Sequence, residues 1–124
     1  MEIKNQKLIY EELSYILNGI AIEVRKELGR FAREKQYADL YEKKLKEKSI
    51  PYKRELTISD SGNRLDFNVK DTIVVDAKAK PFILKEDYRQ MQNYLHVTRL
   101  DLGIIYNFRE QYVKPHRILR VAVP

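Results

Sequence analysis

Apolar residues in the first part of the chain recur every three or four positions, the spacing of one face of an α-helix. These residues are Leu13, Ile16, Leu17, Ile20, Ala21, Val24 and Leu28. The pattern predicts a first helix from about residue 8 that ends at Gly29, because glycine is a common C-cap residue. A second helix is predicted over residues 32–48, whose segment "EKKLKEK" forms a charged, solvated side.

Shorter apolar runs in the middle of the chain predict strands. "IPYKRELTI", "RLDFNV" and "TIVVDAKA" are separated by turn-forming residues, first "SDSGN" (59–63) and then Lys70 and Asp71. Residues 52–79 therefore predict a three-stranded antiparallel meander. A third helix is expected over Lys85–Thr98, and further strands over 102–108 ("LGIIYNF") and 117–123 ("RILRVAV"). The predicted order is α-α-β-β-β-α-β-β in a single α/β domain over residues 1–124.

Composition narrows the classes of function. With 124 residues, 44% hydrophobic and 34% charged, the chain has the composition of a soluble globular domain. It has no apolar run of about 18 residues and no apolar core of a signal peptide near its start, so we expect a cytoplasmic protein without a membrane partner. Zero cysteines and two histidines leave carboxylates as the ligands for any metal, which favours magnesium, manganese or calcium. The net charge of +6 suits a nucleic-acid partner.

Two charged residues interrupt the apolar run "IVVDAKAK" (73–80). Asp76 and Lys78 share one face of the predicted strand, with Cα atoms ~6.6 Å apart, and can act on one small ligand. Asp66, in "RLDFNV", lies on the neighbouring strand, where a carboxylate can come within reach of the same divalent ion. The alternatives are a strand that reaches solvent at Asp76 and a turn capped by Asp66.

The predicted helices carry three further candidates. Gln90 and Tyr94 lie four residues apart on one face of the third helix and can hydrogen-bond a phosphate or orient a lysine. Glu34 lies near the start of the second helix, with Tyr37 one turn further on. The alternatives are core packing for Tyr94, simple exposure for Gln90, and a helix-dipole role for Glu34. The chain has no glycine-rich phosphate loop and no nucleophilic serine motif.

The order of these residues resembles the PD-(D/E)XK nuclease superfamily, particularly its RecB-like branch. The segment "LGRFAREKQYADLYEKKL" is similar to the defining segment of the GxxExxY family within it, with Glu34 and Tyr37 as the motif residues. "VVDAKAK" and "QMQNYLHVTRLDLGIIYNF" resemble later family segments, so the likeness covers roughly residues 16–108. Three departures are Phe31 at the motif glycine, Asp76 in place of the usual glutamate, and no proline before Asp66.

The resemblance implies a restriction-endonuclease-like mixed sheet flanked by helices. It also implies a magnesium (or manganese) ion held by Asp66, Asp76 and the Ala77 carbonyl, with Lys78 and Glu34 as further catalytic groups. Gln90 and Tyr94 would position the substrate or Lys78. The expected function is a metal-dependent nuclease acting on nucleic acid, with DNA favoured. A noncatalytic binding module and a junction-resolving endonuclease remain alternatives, and a homodimer through "RILRVAV" is expected.

Overall fold

The computed structural model describes the backbone of residues 2–59 and 62–122, and the side chains of residues 10–55 and 67–122. The elements are α1 (Glu2–Leu28), α2 (Glu34–Glu47), β1 (Tyr52–Ser59), β2 (Gly62–Val69), β3 (Ile73–Lys78), α3 (Lys85–Thr98), β4 (Leu102–Asn107) and β5 (Pro115–Leu119). The order of elements predicted from the sequence is confirmed.

The five strands form one mixed sheet in the order β1-β2-β3-β4-β5. The first three strands are the predicted antiparallel meander. β4 then pairs with β3 in parallel, over the full length of both strands. A parallel neighbour requires a crossover, and α3 provides it. β5 returns antiparallel to β4 and forms the second edge of the sheet.

The helix ends follow local sequence signals. α1 ends at Leu28, where Gly29 takes a positive φ of 75° and donates its N–H to the Arg25 carbonyl at 2.8 Å. The predicted glycine C-cap is therefore confirmed. α1 begins at Glu2, earlier than predicted, because no proline or glycine interrupts the residues before position 8. Within the described residues, every helix is too short or too polar to cross a membrane.

The structure describes one of the two predicted turns of the meander completely and the other in part. Lys70 and Asp71 both have positive φ, 55° and 50°, and the Thr72 N–H donates to the Val69 carbonyl at 2.9 Å. Positive φ at both central positions is the type I′ pattern, so the predicted tight reversal is confirmed. The turn predicted over 59–63 is shorter, because its outer residues belong to β1 and β2. Its central residues, 60 and 61, lie outside the described part of the chain.

Each face of the sheet is covered by different helices. α1 and α2 bury the larger apolar cluster against side chains such as Val75, Ile104 and Tyr106. α3 covers the opposite face with a smaller cluster around Val74 and Met91. α3 packs closely on β4, since a Cβ atom at Gly103 would overlap the Met91 side chain.

The last strand corrects the sequence prediction. β5 runs from Pro115 to Leu119 rather than over 117–123. Leu119 pairs with Leu102, the first residue of β4, so residues 120–122 have no further residue of β4 to pair with. The Arg120 N–H instead bonds to the Asp101 carbonyl at 2.9 Å, outside the ladder. Proline fits the strand start because an edge strand does not need every N–H donor.

Candidate active site

β3 places its charged residues on the face that α3 covers. All six residues of this strand are buried, and the odd-numbered Ile73, Val75 and Ala77 belong to the cluster under α1 and α2. Because strand side chains alternate, Asp76 and Lys78 lie on the other face. Asp76 is 1% exposed and Lys78 is 8% exposed. The alternative that the strand reaches solvent at Asp76 is therefore wrong.

An ion-pair network surrounds the Lys78 ammonium. Its Nζ lies 3.1 Å from Oδ2 of Asp76 and 3.5 Å from Oδ1 of Asp87, in the first turn of α3. Lys80 contacts the same Asp87 carboxylate at 2.9 Å. Charges this deeply buried are costly unless they are paired, and this network supplies the pairing.

Asp87 is a member of the site that sequence reasoning missed. It is 4% exposed, and its Oδ2 accepts the Leu84 N–H at 2.7 Å, which caps α3. Burial alone would raise the pKa of Asp87, but the Leu84 N–H and the two lysines together hold the pKa below its ordinary value. The available signal was its position three residues after the N-cap residue, Leu84, where an acidic side chain can reach back to the N-cap N–H.

Glu34 approaches the same end of β3 from the first residue of α2. The backbone N–H of Ala79, the residue after β3, lowers the pKa of the Glu34 carboxyl group and so favours the ionised form. Burial and, next, the negative charge of Asp76 raise the pKa of Glu34 above its ordinary value, while Lys78 acts in the opposite direction. The helix-dipole alternative is thus insufficient, because Glu34 interacts electrostatically with both charged residues of the "DAK" segment.

The backbone register aligns three acidic residues across the sheet. Asp66 is the cross-strand partner of Asp76, and Glu55 on β1 is the partner of Asp66. Directly opposed residues of antiparallel strands share one face, which places these three residues in one row. The side chain of Asp66 lies outside the described part of the structure. Sequence reasoning missed Glu55, because nothing in β1 alone reveals which residue of β2 it opposes.

A comparison with protein-family models matches residues 11–121 to the PD-(D/E)XK nuclease superfamily. The chain belongs to this superfamily. Comparisons with curated proteins and with solved structures gave no match. The mixed five-stranded sheet with three helices is the restriction-endonuclease-like fold expected of a PD-(D/E)XK protein.

The α3 candidates of this PD-(D/E)XK protein lie on the face that carries Asp87. Gln90 and Tyr94 follow Asp87 by three and seven residues, and both are partly buried. The Tyr94 hydroxyl donates a hydrogen bond to the Glu55 carboxylate on β1. Tyr94 therefore faces the acidic row, and core packing alone does not account for it.

Tyr37 and Phe31 show how the PD-(D/E)XK chain builds the turn before Glu34. The Tyr37 hydroxyl donates to the Gly29 carbonyl at 2.5 Å and accepts the Ala32 N–H at 3.1 Å. Its ring stacks on Phe108 with centroids 4.4 Å apart. Phe31 is not among the residues with positive φ, so the turn does not require glycine there. Tyr37 thus fixes the segment that delivers Glu34.

The donor set determines which metal the site could hold. Within the side chains that the structure describes, no three histidine, aspartate or glutamate residues lie close enough together to hold a metal ion. The described side chains do not include that of Asp66. The residues gathered at the end of β3 offer carboxylate oxygens and no thiol or imidazole. Hard oxygen donors of this kind suit magnesium or manganese.

Proposed function

We propose that this protein is a metal-dependent nuclease that hydrolyses phosphodiester bonds of nucleic acid, with DNA favoured. Within the superfamily we assign it to the GxxExxY family of the RecB-like branch, on the basis of Glu34, Tyr37 and the segments around β3 and α3. The proposal is carried by one observation: a buried Asp76 and Lys78 lie 3.1 Å apart on a face where Asp66 is in direct register. A purely structural strand gains little from burying two charges there.

Asp66, Asp76 and the Ala77 carbonyl would hold a magnesium or manganese ion. Electrostatics support this fit, since burial and, next, the charge of Asp76 raise the pKa of Glu34, and a cation would relieve the repulsion between carboxylates. When bound, the ion supplies Lewis-acid polarisation of the phosphodiester and acidifies the attacking water.

Four side chains of the protein would have separate roles in the reaction. The Lys78 ammonium, already held beside Asp76, would neutralise charge that develops on the phosphate. Glu34, at the first residue of α2, would accept a hydrogen bond from the attacking water and so orient it. Gln90 would contact the substrate backbone, and Tyr94 would act through Glu55 as a positioning residue.

Self-association would give a small nuclease more surface for its substrate. We propose a twofold dimer formed through β5, the sheet edge beyond β4. Leu119 is 65% exposed on this edge, and Val121 just after it is 59% exposed, so apolar surface is available for a second copy.

The test of the proposed reaction is a cleavage assay on linear, circular and branched DNA and on single-stranded RNA, with magnesium, manganese or a chelator. Asp76→Asn and Lys78→Met should stay folded by circular dichroism and lose at least about 100-fold in turnover, roughly 3 kcal/mol of transition-state stabilisation. Glu47→Gln and Lys43→Met, on the exposed side of α2, are the matched controls and should cleave like wild type.

The outcomes separate the alternatives. Preferential cleavage of branched DNA would identify a junction-resolving endonuclease. If wild type binds nucleic acid, yet no substrate is cut with either metal, the chain is a noncatalytic binding module and the ion pair of Asp76 and Lys78 is structural.

A further inference from the structure

An open cleft of about 650 Å³ lies beside the candidate active site. Its lining combines three aromatic rings with three cationic side chains. We call it the aromatic cleft and define it by Phe31, Phe82, Tyr112, Arg30, Arg109 and Lys114.

The walls of the aromatic cleft are formed by segments adjacent in sequence to α2, β3 and β4. Phe31 precedes Glu34 by three residues, and Phe82 follows Lys78 by four. The third wall, residues 109–114, follows β4, whose last residue Asn107 pairs with Lys78 in the parallel ladder. Since both parallel strands end at the same edge of the sheet, the cleft opens next to the end of β3.

The three rings are exposed far beyond what packing requires. Phe31 is 76% exposed, Phe82 75% and Tyr112 77%, although aromatic side chains are among the strongest contributors to a core. A cluster of exposed apolar groups at one cleft is typical of a binding surface. Phe31 also replaces the glycine of the family motif, so its ring is a feature of this chain.

Cations are interleaved with the rings. The guanidinium carbons of Arg30 and Arg109 lie 5.5 and 5.6 Å from the centroid of the Phe31 ring. The Arg30 Nε–H also donates to the Arg109 carbonyl at 2.7 Å, which joins two walls of the cleft. The lining also contains one acidic side chain, Glu110, whose carboxylate lies 2.9 Å from Nε2 of His116, so the three cations outnumber it. The cleft is therefore positively charged.

We propose that the aromatic cleft binds a single-stranded segment of the nucleic acid, with unpaired bases stacked on its rings and phosphates contacting its cations. This inference rests on the proposed nuclease function and specifies its substrate: a strand with an unpaired end or flap adjoining the scissile bond. Rings interleaved with cations suit such a strand, because every base offers a flat face and every nucleotide a negative charge. Bases inside a duplex are already stacked on one another and gain nothing from the rings.

Binding is measured by fluorescence anisotropy in chelator, where no cleavage occurs, with a labelled 20-mer of deoxythymidine, the matching uridine 20-mer and a blunt 20-base-pair duplex. We expect Phe82→Ala and Tyr112→Ala each to weaken single-strand binding about five- to hundredfold and duplex binding less than twofold. Phe82→Trp should restore affinity, since it restores a ring. Tyr15→Ala is the control, because Tyr15 is 80% exposed on α1 and is not part of the cleft lining.

A second readout reports stacking directly. A 2-aminopurine base in the single strand should be quenched by wild type and by Phe82→Trp, and far less by Phe82→Ala. The DNA or RNA strand that loses affinity in the ring variants identifies the natural strand. Equal binding of single strand by wild type and both alanine variants overturns the inference.

The inference and the proposed reaction fail separately. Ring-dependent binding without metal-dependent cleavage would leave the cleft assignment standing and remove the nuclease proposal. Cleavage that requires Asp76 but is unaffected by Phe82→Ala and Tyr112→Ala on flapped DNA would do the reverse.

Discussion

Asn107 and Lys80 exchange two hydrogen bonds: Nδ2 of Asn107 donates to the Lys80 carbonyl at 2.8 Å, and the Lys80 N–H donates to its Oδ1 at 3.1 Å. The Asn107 side chain is fully buried at the end of β4. This one amide joins the segment after β3 to the segment after β4, and so holds the candidate active site against the aromatic cleft.

The first prediction concerns this amide. We expect Asn107→Leu to lower the free energy of unfolding by about 2–4 kcal/mol, because it leaves the part-buried N–H and carbonyl of Lys80 without the partners that Asn107 provides. Urea denaturation gives the value, and Asn93→Leu on the exposed side of α3 is the control. A loss no larger than that of the control would show that the two segments are held together by other contacts.

The second prediction follows from the lowered pKa of Asp87. Its ionised form stabilises the fold, so the contribution is complete above the ordinary pKa of 3.8 and is lost as the pH falls through the lower folded value. Asp87→Asn keeps an oxygen for the Leu84 N–H but loses the charge facing Lys78 and Lys80. We expect it to cost about 3 kcal/mol at pH 7, and the difference from wild type to shrink below about pH 4.

Denaturant titrations between pH 2.5 and 7 test the Asp87 prediction. Glu86→Gln, an exposed neighbour in the same helical turn, should differ little from wild type at any pH. A difference between wild type and Asp87→Asn that is independent of pH would argue against a stabilising charge.

The third prediction concerns Glu34, whose ionised form destabilises the fold, in contrast to that of Asp87. The pKa of Glu34 is raised from 4.5, first by burial and then by the charge of Asp76, so its ionisation destabilises the fold as the pH rises above 4.5. Glu34→Gln should therefore be more stable than wild type by roughly 1 kcal/mol at pH 7. The gain in stability should vanish near pH 4, where the glutamate of wild type is protonated and therefore neutral, like the glutamine of the variant. Thermal unfolding at the two pH values, with Glu47→Gln as control, measures it.

The fourth prediction tests how the turn before Glu34 is held. Tyr37→Phe keeps the stacking on Phe108 but removes the hydroxyl that bonds to Gly29 and Ala32. We expect a loss of about 1–2 kcal/mol in unfolding free energy and a lower kcat with little change in KM, because Glu34 loses its fixed position. Tyr15→Phe, at an exposed site on α1, should change neither quantity.

The fifth prediction concerns self-association. Light scattering at high micromolar concentration should report a dimer, and Leu119→Lys should shift it to a monomer by placing a charge on the edge strand. Val97→Lys is the control, since Val97 is 83% exposed on α3 and is not part of β5. A wild-type monomer at these concentrations removes the dimer proposal.

Local patterns were enough to predict much of this fold. α3 begins and ends at the predicted residues, Lys85 and Thr98, because the helical spacing and the preceding Pro81 are short-range signals. The shared face of Asp76 and Lys78 follows from the period of a strand. Their burial does not, since it depends on α3 being packed over them.

The residues that were missed depend on pairings between distant segments. Glu55 joins the acidic row through the register of β1 with β2, and Asn107 meets Lys80 only because β4 pairs in parallel with β3. β5 was misplaced for the same reason: its apolar alternation continues past Leu119, while the partner strand does not. Register of this kind is decided by the whole sheet, so a single stretch of sequence does not contain it.

The parallel ladder between β3 and β4 also separates the proposed catalytic residues from the proposed binding cleft. Its six paired positions hold Asp76 and Lys78 in place, whereas the segments after Lys78 and after Asn107, which bear Phe82 and Tyr112, leave the sheet at one edge. Loops tolerate changes in length and sequence far better than a ladder does. A related chain could therefore exchange these two loops for others and acquire a different substrate while its reaction stays the same, which makes this edge the natural place to graft a new specificity.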